Sequence, residues 1–199
     1  MLKKADRRIA AVILAAGGSA RFGTPKQLVT MHGENLVQRS ARIAVEAGLD
    51  PVIVVLGAYA STIEMFLSGF DQVITVINRD WQSGQASSLR TGIQQALKLD
   101  SDAALIILAD QPLVDEKSIE RIVGALDTEH RVVASQYAGV LGAPALFAKE
   151  FFAGLLELDG DRGAGAWLRA NPETVTAVKV DEAAVDIDTP DDLKHLLHE

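Results

Sequence analysis

The chain has 199 residues, a formal net charge of −8, no cysteine, and 48% hydrophobic against 23% charged residues. That size and balance fit a globular protein with a sizeable core, read as a single domain over residues 1–199, and no apolar run reaches bilayer length, so no membrane span is expected. Disulfides, thiolate metal sites and cysteine nucleophiles are excluded, and the acidic balance argues against a nucleic-acid binder with a broad basic face. A reducing compartment is permitted, and a cytoplasmic location is the expectation.

The N-terminus, Met1 to Arg8, is basic and precedes an apolar run, an order that superficially matches a secretory signal. The run Ile9 to Ala15 continues directly into Gly17 and Gly18, however, and so reads as a buried first strand. Ser19, Arg21, Gly23 and Lys26 follow. Glycines let a backbone turn sharply and approach a ligand. Successive free N–H groups in such a turn form a concave anion site. Arg21 can fork onto a phosphate and Lys26 can supply a point charge, so the stretch reads as a holder for a polyphosphate. A Walker loop is excluded because Thr24 stands where its lysine belongs, and the G-x-G-x-x-G pattern is absent.

Further along, Asn35 to Ala47 has helical periodicity, with Leu36, Ser40, Ile43, Ala44 and Ala47 on one face and Gly48 as the stop. Strands are expected at Pro51–Leu56 and Val73–Ile77, with a short helix from Ser61 to Leu67 between them. A polar loop from Asn78 leads into a helix through Leu97. Ser87 and Ser88 at its start either cap it or face a phosphate or carbonyl oxygen. Trp81 is either a pocket wall or simple packing. Ala103 to Ala109 is the most apolar strand, expected at the centre, and ends in Asp110-Gln111-Pro112. A carboxylate just beyond a strand's carboxyl end suits Mg²⁺, while an Asx-type turn is the structural alternative.

A helix is expected over Lys117–Leu126 and strands over Arg131–Ser135, Val140–Phe147 and Val175–Val180. Asp161 either contacts a substrate or caps a helix from Gly163 to Ala170. Asp186 and Asp188 point to the same side of an extended segment, and two such carboxylates repel unless a cation sits between them. Thr189 suits an N-cap, Pro190 the first helical position, and Asp191 and Asp192 the positive helix end. His32, His130, His195 and His198 form no ligand cluster in sequence. The alternation of strand and helix predicts an α/β, Rossmann-like three-layer domain with a mostly parallel central sheet.

Leu14-Ala-Ala-Gly-x-Ser-x-Arg-x-Gly-x-x-Lys26 resembles the signature of the molybdenum cofactor nucleotidyltransferases, most closely their cytidylyltransferase branch. The guanylyltransferases usually carry Leu-Ala-Gly-Gly where this chain has Leu14-Ala15-Ala16-Gly17. The resemblance runs from about Ile9 to Leu197 and implies a nucleotidyltransferase (glycosyltransferase-A-like) fold. It implies that Leu14, Ala15, Ala16, Gly17, Gly18, Ser19, Arg21 and Lys26 wrap a nucleoside triphosphate, with Ser87 and Ser88 in a second nucleotide-contacting segment. It makes Asp110 a metal ligand. The second carboxylate falls just before Thr189-Pro190, which favours Asp188 over Asp186. Gly142 and Pro144 would line the acceptor side, although Ala143 stands at the family's histidine position. Asp161 and Arg162 match a further substrate segment.

The implied activity is transfer of a nucleoside monophosphate, from CTP by preference, to a phosphorylated acceptor such as molybdopterin. Pyrophosphate is released with Mg²⁺ as cofactor, and Arg21, Lys26 and Asp110 are the catalytic residues. A GTP-using or other-acceptor transferase is the nearest alternative. A non-catalytic carrier of nucleotide or cofactor, serving a molybdoenzyme partner, is the alternative of another class.

Overall fold

The computed structural model describes residues 7–19 and 22–198. Strand β1 (Ile9–Ala15) is buried along almost its whole length. Ala11, Ile13 and Ala15 enter one apolar core, and Ala10 and Val12 enter another on the opposite face. A strand covered on both faces has no polar side to show, which is why it reads as an unbroken apolar run. A short hairpin follows, β2 (Thr30–Met31) with β3 (Glu34–Asn35), turning at His32 and Gly33.

Helix α1 (Leu36–Glu46) starts at Asn35, whose side chain accepts from the Gln38 N–H. It ends in a Schellman closure: the N–H groups of Gly48 and Leu49 return to the carbonyls of Val45 and Ala44. Then come β4 (Val52–Leu56), α2 (Ala60–Leu67), β5 (Val73–Ile77), α3 (Gln85–Lys98), β6 (Ala103–Leu108) and α4 (Glu116–Gly124). The last third holds β7 (Val132–Tyr137), β8 (Val140–Ala148), α5 (Phe152–Leu156), α6 (Ala164–Ala170), β9 (Val175–Lys179) and α7 (Pro190–His198).

Seven strands form one sheet in the order β5-β4-β1-β6-β8-β7-β9. Strand β8 runs antiparallel to β6 and β7, while the pairs β1/β4, β1/β6, β4/β5 and β7/β9 are parallel. Helices α1, α2 and α4 bury Val37, Ile63 and Ile119 on one face. Helices α3, α5 and α6 bury Leu89, Phe152 and Leu168 on the other. The chain winds outward from β1 through β4 to β5, then returns to place β6 on the far side of β1. Such a reversal opens a crevice beyond the carboxyl ends of the two strands where the order switches. No helix among the described residues is long and apolar enough to cross a membrane.

Candidate active site

The crevice is built from the segments that leave β1 and β6, which pair with Leu14 opposite Leu108. The β1 segment is held from below by Gln27, which is buried. Its Nε2 donates to the carbonyls of Ala15 at 3.0 Å and Gly17 at 2.8 Å, satisfying two acceptors of an irregular turn. Ser19 closes the loop above: its Oγ accepts from the Lys26 N–H at 2.9 Å, and its carbonyl accepts from the N–H groups of Phe22 and Gly23. Among the described residues the N–H groups of Gly17 and Gly18 meet no protein acceptor. Donors left open at the end of a strand are what an anion needs. Arg21 lies outside the described residues.

Three aspartates converge opposite this loop. Ile187 is fully buried, and its N–H donates to the Asp110 carbonyl at 2.9 Å. That one backbone bond draws the 186–188 segment against the end of β6. With Ile187 pointing inward, the alternation of an extended segment turns Asp186 and Asp188 to the other side. The Asp188 N–H donates to Asp192 Oδ2 at 3.0 Å, and so does the Thr189 N–H at 2.7 Å. The Asp192 N–H returns to Thr189 Oγ1 at 3.3 Å, a reciprocal cap at the start of α7.

Lys26 Nζ then lies 2.5 Å from Asp110 Oδ2 and 3.0 Å from Asp188 Oδ1. A cation therefore sits between two carboxylates. Burial pulls the Lys26 ammonium down, but the charge and hydrogen bond of Asp110, then those of Asp188, outweigh it and hold the pKa above the usual lysine value. Asp186 responds oppositely: partial burial, then the like charges of Asp110 and Asp188, push its carboxyl above the usual aspartate value. Among the described residues no group of three or more His, Asp or Glu side chains makes a full metal cage. Two carboxylates already sharing one cation still fit Mg²⁺, which takes one or two protein carboxylates and completes its shell with waters and phosphates.

A cleft of about 400 Å³ extends from these charges, lined by Leu14, Ala16, Gly17, Gly18, Lys26, Trp81, Ser88, Asp110 and Asp161. Trp81 is both wall and packing, since a side chain at Gly18 would meet its ring at 3.0 Å. Ser88 faces the cleft and Ser87 does not. Both are buried, and both hydroxyls accept from Asn78 Nδ2, at 3.0 and 2.8 Å. Neither serine caps α3, whose N-cap is Gly84, and Asp161 does not cap α6, whose N-cap is Gly163. Ala15 is buried beneath the loop and contributes its carbonyl.

Arg162 is turned away and pairs with Asp159. Pro144 is buried, with its carbonyl accepting from Ser135 Oγ at 2.8 Å. Gly142 lines a second cavity of about 250 Å³, which shares Leu14, Gln85 and Leu108 with the first. Gln27, Gln82 and Gln85 also line the cleft, and no pattern in the sequence singles them out. A glutamine beside a glycine turn or at a helix start carries no periodic signal. Only Gln27's place next to Lys26 hinted at it.

Comparison with known proteins agrees with this architecture. A family model described as "MobA-like NTP transferase domain" matches residues 11–175. The purine catabolism protein PucB of Bacillus subtilis is 30% identical over 91% of this chain and 92% of its own. Nicotine blue oxidoreductase of Paenarthrobacter nicotinovorans is 28% identical over 95% of this chain and 96% of its own. Among solved structures, Rv0371c of Mycobacterium tuberculosis superposes with a TM-score of 0.82 at 30% identity, covering 96% of this chain and 99% of its own. The same mycobacterial protein has also been solved in complex with manganese.

Proposed function

The chain belongs to the MobA-like NTP transferase domain family, and on that premise we propose that it moves a cytidylyl group from CTP to a phosphorylated acceptor, molybdopterin, with release of pyrophosphate. Nucleotidyl transfer is the activity of the family. The choice of CTP and of molybdopterin is the proposal. The observation that carries nucleotidyl transfer at this cleft is the meeting of Lys26 with Asp110 and Asp188 beside Gly17 and Gly18, whose N–H groups meet no protein acceptor among the described residues. Ala16 in the loop supports cytosine over guanine, by the resemblance of Leu14 to Lys26 to the cytidylyltransferase signature.

In this reading the triphosphate lies on the glycine loop, with Trp81 packed beside Gly18 and Ser88 lining the same cleft. An oxygen of the acceptor phosphate attacks the α-phosphorus in line. The new P–O bond forms as the bond from the α-phosphorus to the bridging oxygen of the β-phosphate breaks, and that oxygen leaves with pyrophosphate. An acceptor phosphate is already ionised near neutral pH, so no strong general base is needed. Catalysis rests on positioning and charge neutralisation. Lys26 offsets charge on the departing pyrophosphate, and Arg21 is assigned the same task from its position in the sequence motif alone. Asp110 and Asp188 would hold Mg²⁺, which when bound supplies Lewis-acid polarisation of the phosphoryl oxygens. Asp186 is the reserve carboxylate beside them. We assign the acceptor side to the second cavity, which Gly142 lines.

The test is pyrophosphate release with CTP, GTP, ATP or UTP, each with Mg²⁺ and molybdopterin, against an Asp110→Asn control. Release with CTP alone, lost in the control, is expected. Equal rates with GTP would overturn the base assignment. Tight nucleotide binding with no release from any nucleotide would favour the carrier alternative.

A further inference from the structure

We propose that Gln111 is a positioning residue: it sets the spacing of Asp110 and Asp188, and through that spacing the affinity of the pair for a divalent cation. The inference rests on the reading of those two carboxylates as the metal holders, and it adds a residue that lines neither cavity.

Asp110 stands just beyond β6, whose place in the sheet is set by pairing with β1 on one side and β8 on the other. Asp188 has no strand to hold it. It follows the short helical turn Asp181–Ala184 in an extended stretch outside the sheet. Upstream, the Val180 N–H donates to the Gln136 carbonyl at 3.2 Å and fastens the stretch to β7. Downstream, the Ile187 N–H fastens it to the Asp110 carbonyl at 2.9 Å. A stretch held at two points can still rotate between them. Gln111 removes that freedom: its Nε2 donates to the Ala183 carbonyl at 2.9 Å and to the Ala143 carbonyl of β8 at 3.0 Å. The two carboxylates so placed are near enough for one Lys26 ammonium to touch both, at 2.5 and 3.0 Å.

Gln111 is 5% exposed and lines neither the cleft nor the second cavity, so it acts through its neighbours and not on a substrate. An amide nitrogen carries two hydrogens, and turning the group over would set Oε1 against two carbonyl oxygens, so its orientation is fixed. Oε1 itself is buried with no hydrogen-bond partner. A buried acceptor left unpaired lowers stability. Packing alone therefore does not call for an amide here, since methionine has a similar shape without that penalty. What the amide supplies is its donors. Tyr137 of β7 lies against the same side chain, which thus joins the corner after β6 to both β7 and β8.

The probe is Mn²⁺ alone, whose free ion is measured by electron paramagnetic resonance. It is titrated into the wild type, Gln111→Met, Asp110→Asn and Ile63→Val, the last trimming the buried side of α2 as a control for lost stability. Groups that orient metal-holding side chains are typically worth about 10–100-fold in metal affinity, so Gln111→Met should bind Mn²⁺ at least about tenfold more weakly than the wild type. Ile63→Val should bind it as the wild type does. A second measurement needs no variant. By linkage, a cation that gains from the bonds of Gln111 must in turn strengthen them. Exchange of the Gln111 side-chain amide protons in the wild type, followed by nuclear magnetic resonance, should slow as Mg²⁺ saturates the site. Equal Mn²⁺ affinity in the wild type and Gln111→Met, an equal loss in Ile63→Val, or amide exchange that Mg²⁺ leaves unchanged would overturn the proposal. Should Gln111→Met not fold, the exchange result decides. No Mn²⁺ binding to the wild type, or binding that Asp110→Asn leaves intact, would defeat the reading of the carboxylates as metal holders, and the proposal with it.

Discussion

Replacing Lys26 by methionine keeps most of the side-chain volume and removes the ammonium that bridges Asp110 at 2.5 Å and Asp188 at 3.0 Å. The three side chains are 18%, 21% and 31% exposed, so the bridge is neither a surface contact nor a fully buried pair. Removing one partner of a buried pair costs about 3–5 kcal/mol, and a surface pair is worth about 0–1 kcal/mol. Partial exposure puts this loss at about 2 kcal/mol, or about 4–8 °C in Tm for a chain of this length. The pKa of Lys26 is raised in the folded state, so its contribution is fully present below the unfolded lysine value and fades as pH rises through the folded one. The difference between wild type and Lys26→Met should therefore stay constant from about pH 6 to pH 9 and shrink only in strong alkali. Urea denaturation across that range is the assay. Because the loss comes from uncompensated carboxylates, Lys26→Met/Asp110→Asn should recover more than half of it. A double variant no more stable than Lys26→Met would refute the electrostatic account.

Two further outcomes follow from the same geometry. Asp186→Asn should raise Tm at pH 7: a carboxyl whose folded pKa is raised stabilises only while protonated, and loses that contribution as pH rises through the folded value. The gain over wild type should vanish as pH falls below the ordinary aspartate value of 3.8. Gly84→Ala places a Cβ 2.3 Å from the Gly160 backbone at a φ of 107°. It should cost at least about 1–3 kcal/mol by thermal denaturation, and raise KM for the nucleotide by shifting Asp161.

The parts of this site that sequence exposes are those with a period. The alternation through Asp186, Ile187 and Asp188 places both carboxylates on one side, and the structure shows the buried isoleucine that anchors them. The apolar runs of β1 and β6 stand out because both faces of each are covered, and Asp110 is conspicuous as the first charge after one of them. The direction of β8 was less plain. Its signal was the two-residue link Ala138-Gly139, too short for a parallel crossover and suited to a hairpin. The β2/β3 hairpin went unread because two-residue strands carry no alternation, leaving Gly33 as the sole hint. The helix-start serines illustrate a different limit. Capping preference is a property of a position, and Gly84 moved the helix start so that Ser88 became wall and Ser87 became support. Gln27 was illegible for the same reason: what it does depends on the Ala15 and Gly17 carbonyls, remote from it in sequence and in contact in the fold.

The most direct test of the central claim is ³¹P nuclear magnetic resonance of wild type and Asp110→Asn with CTP, Mg²⁺ and the phosphorylated acceptor. The account expects a diphosphate diester resonance and free pyrophosphate to grow in equal amounts with the wild type, and neither with a folded Asp110→Asn. Equal product from both proteins would contradict the assignment of chemistry to the Lys26–Asp110–Asp188 cluster.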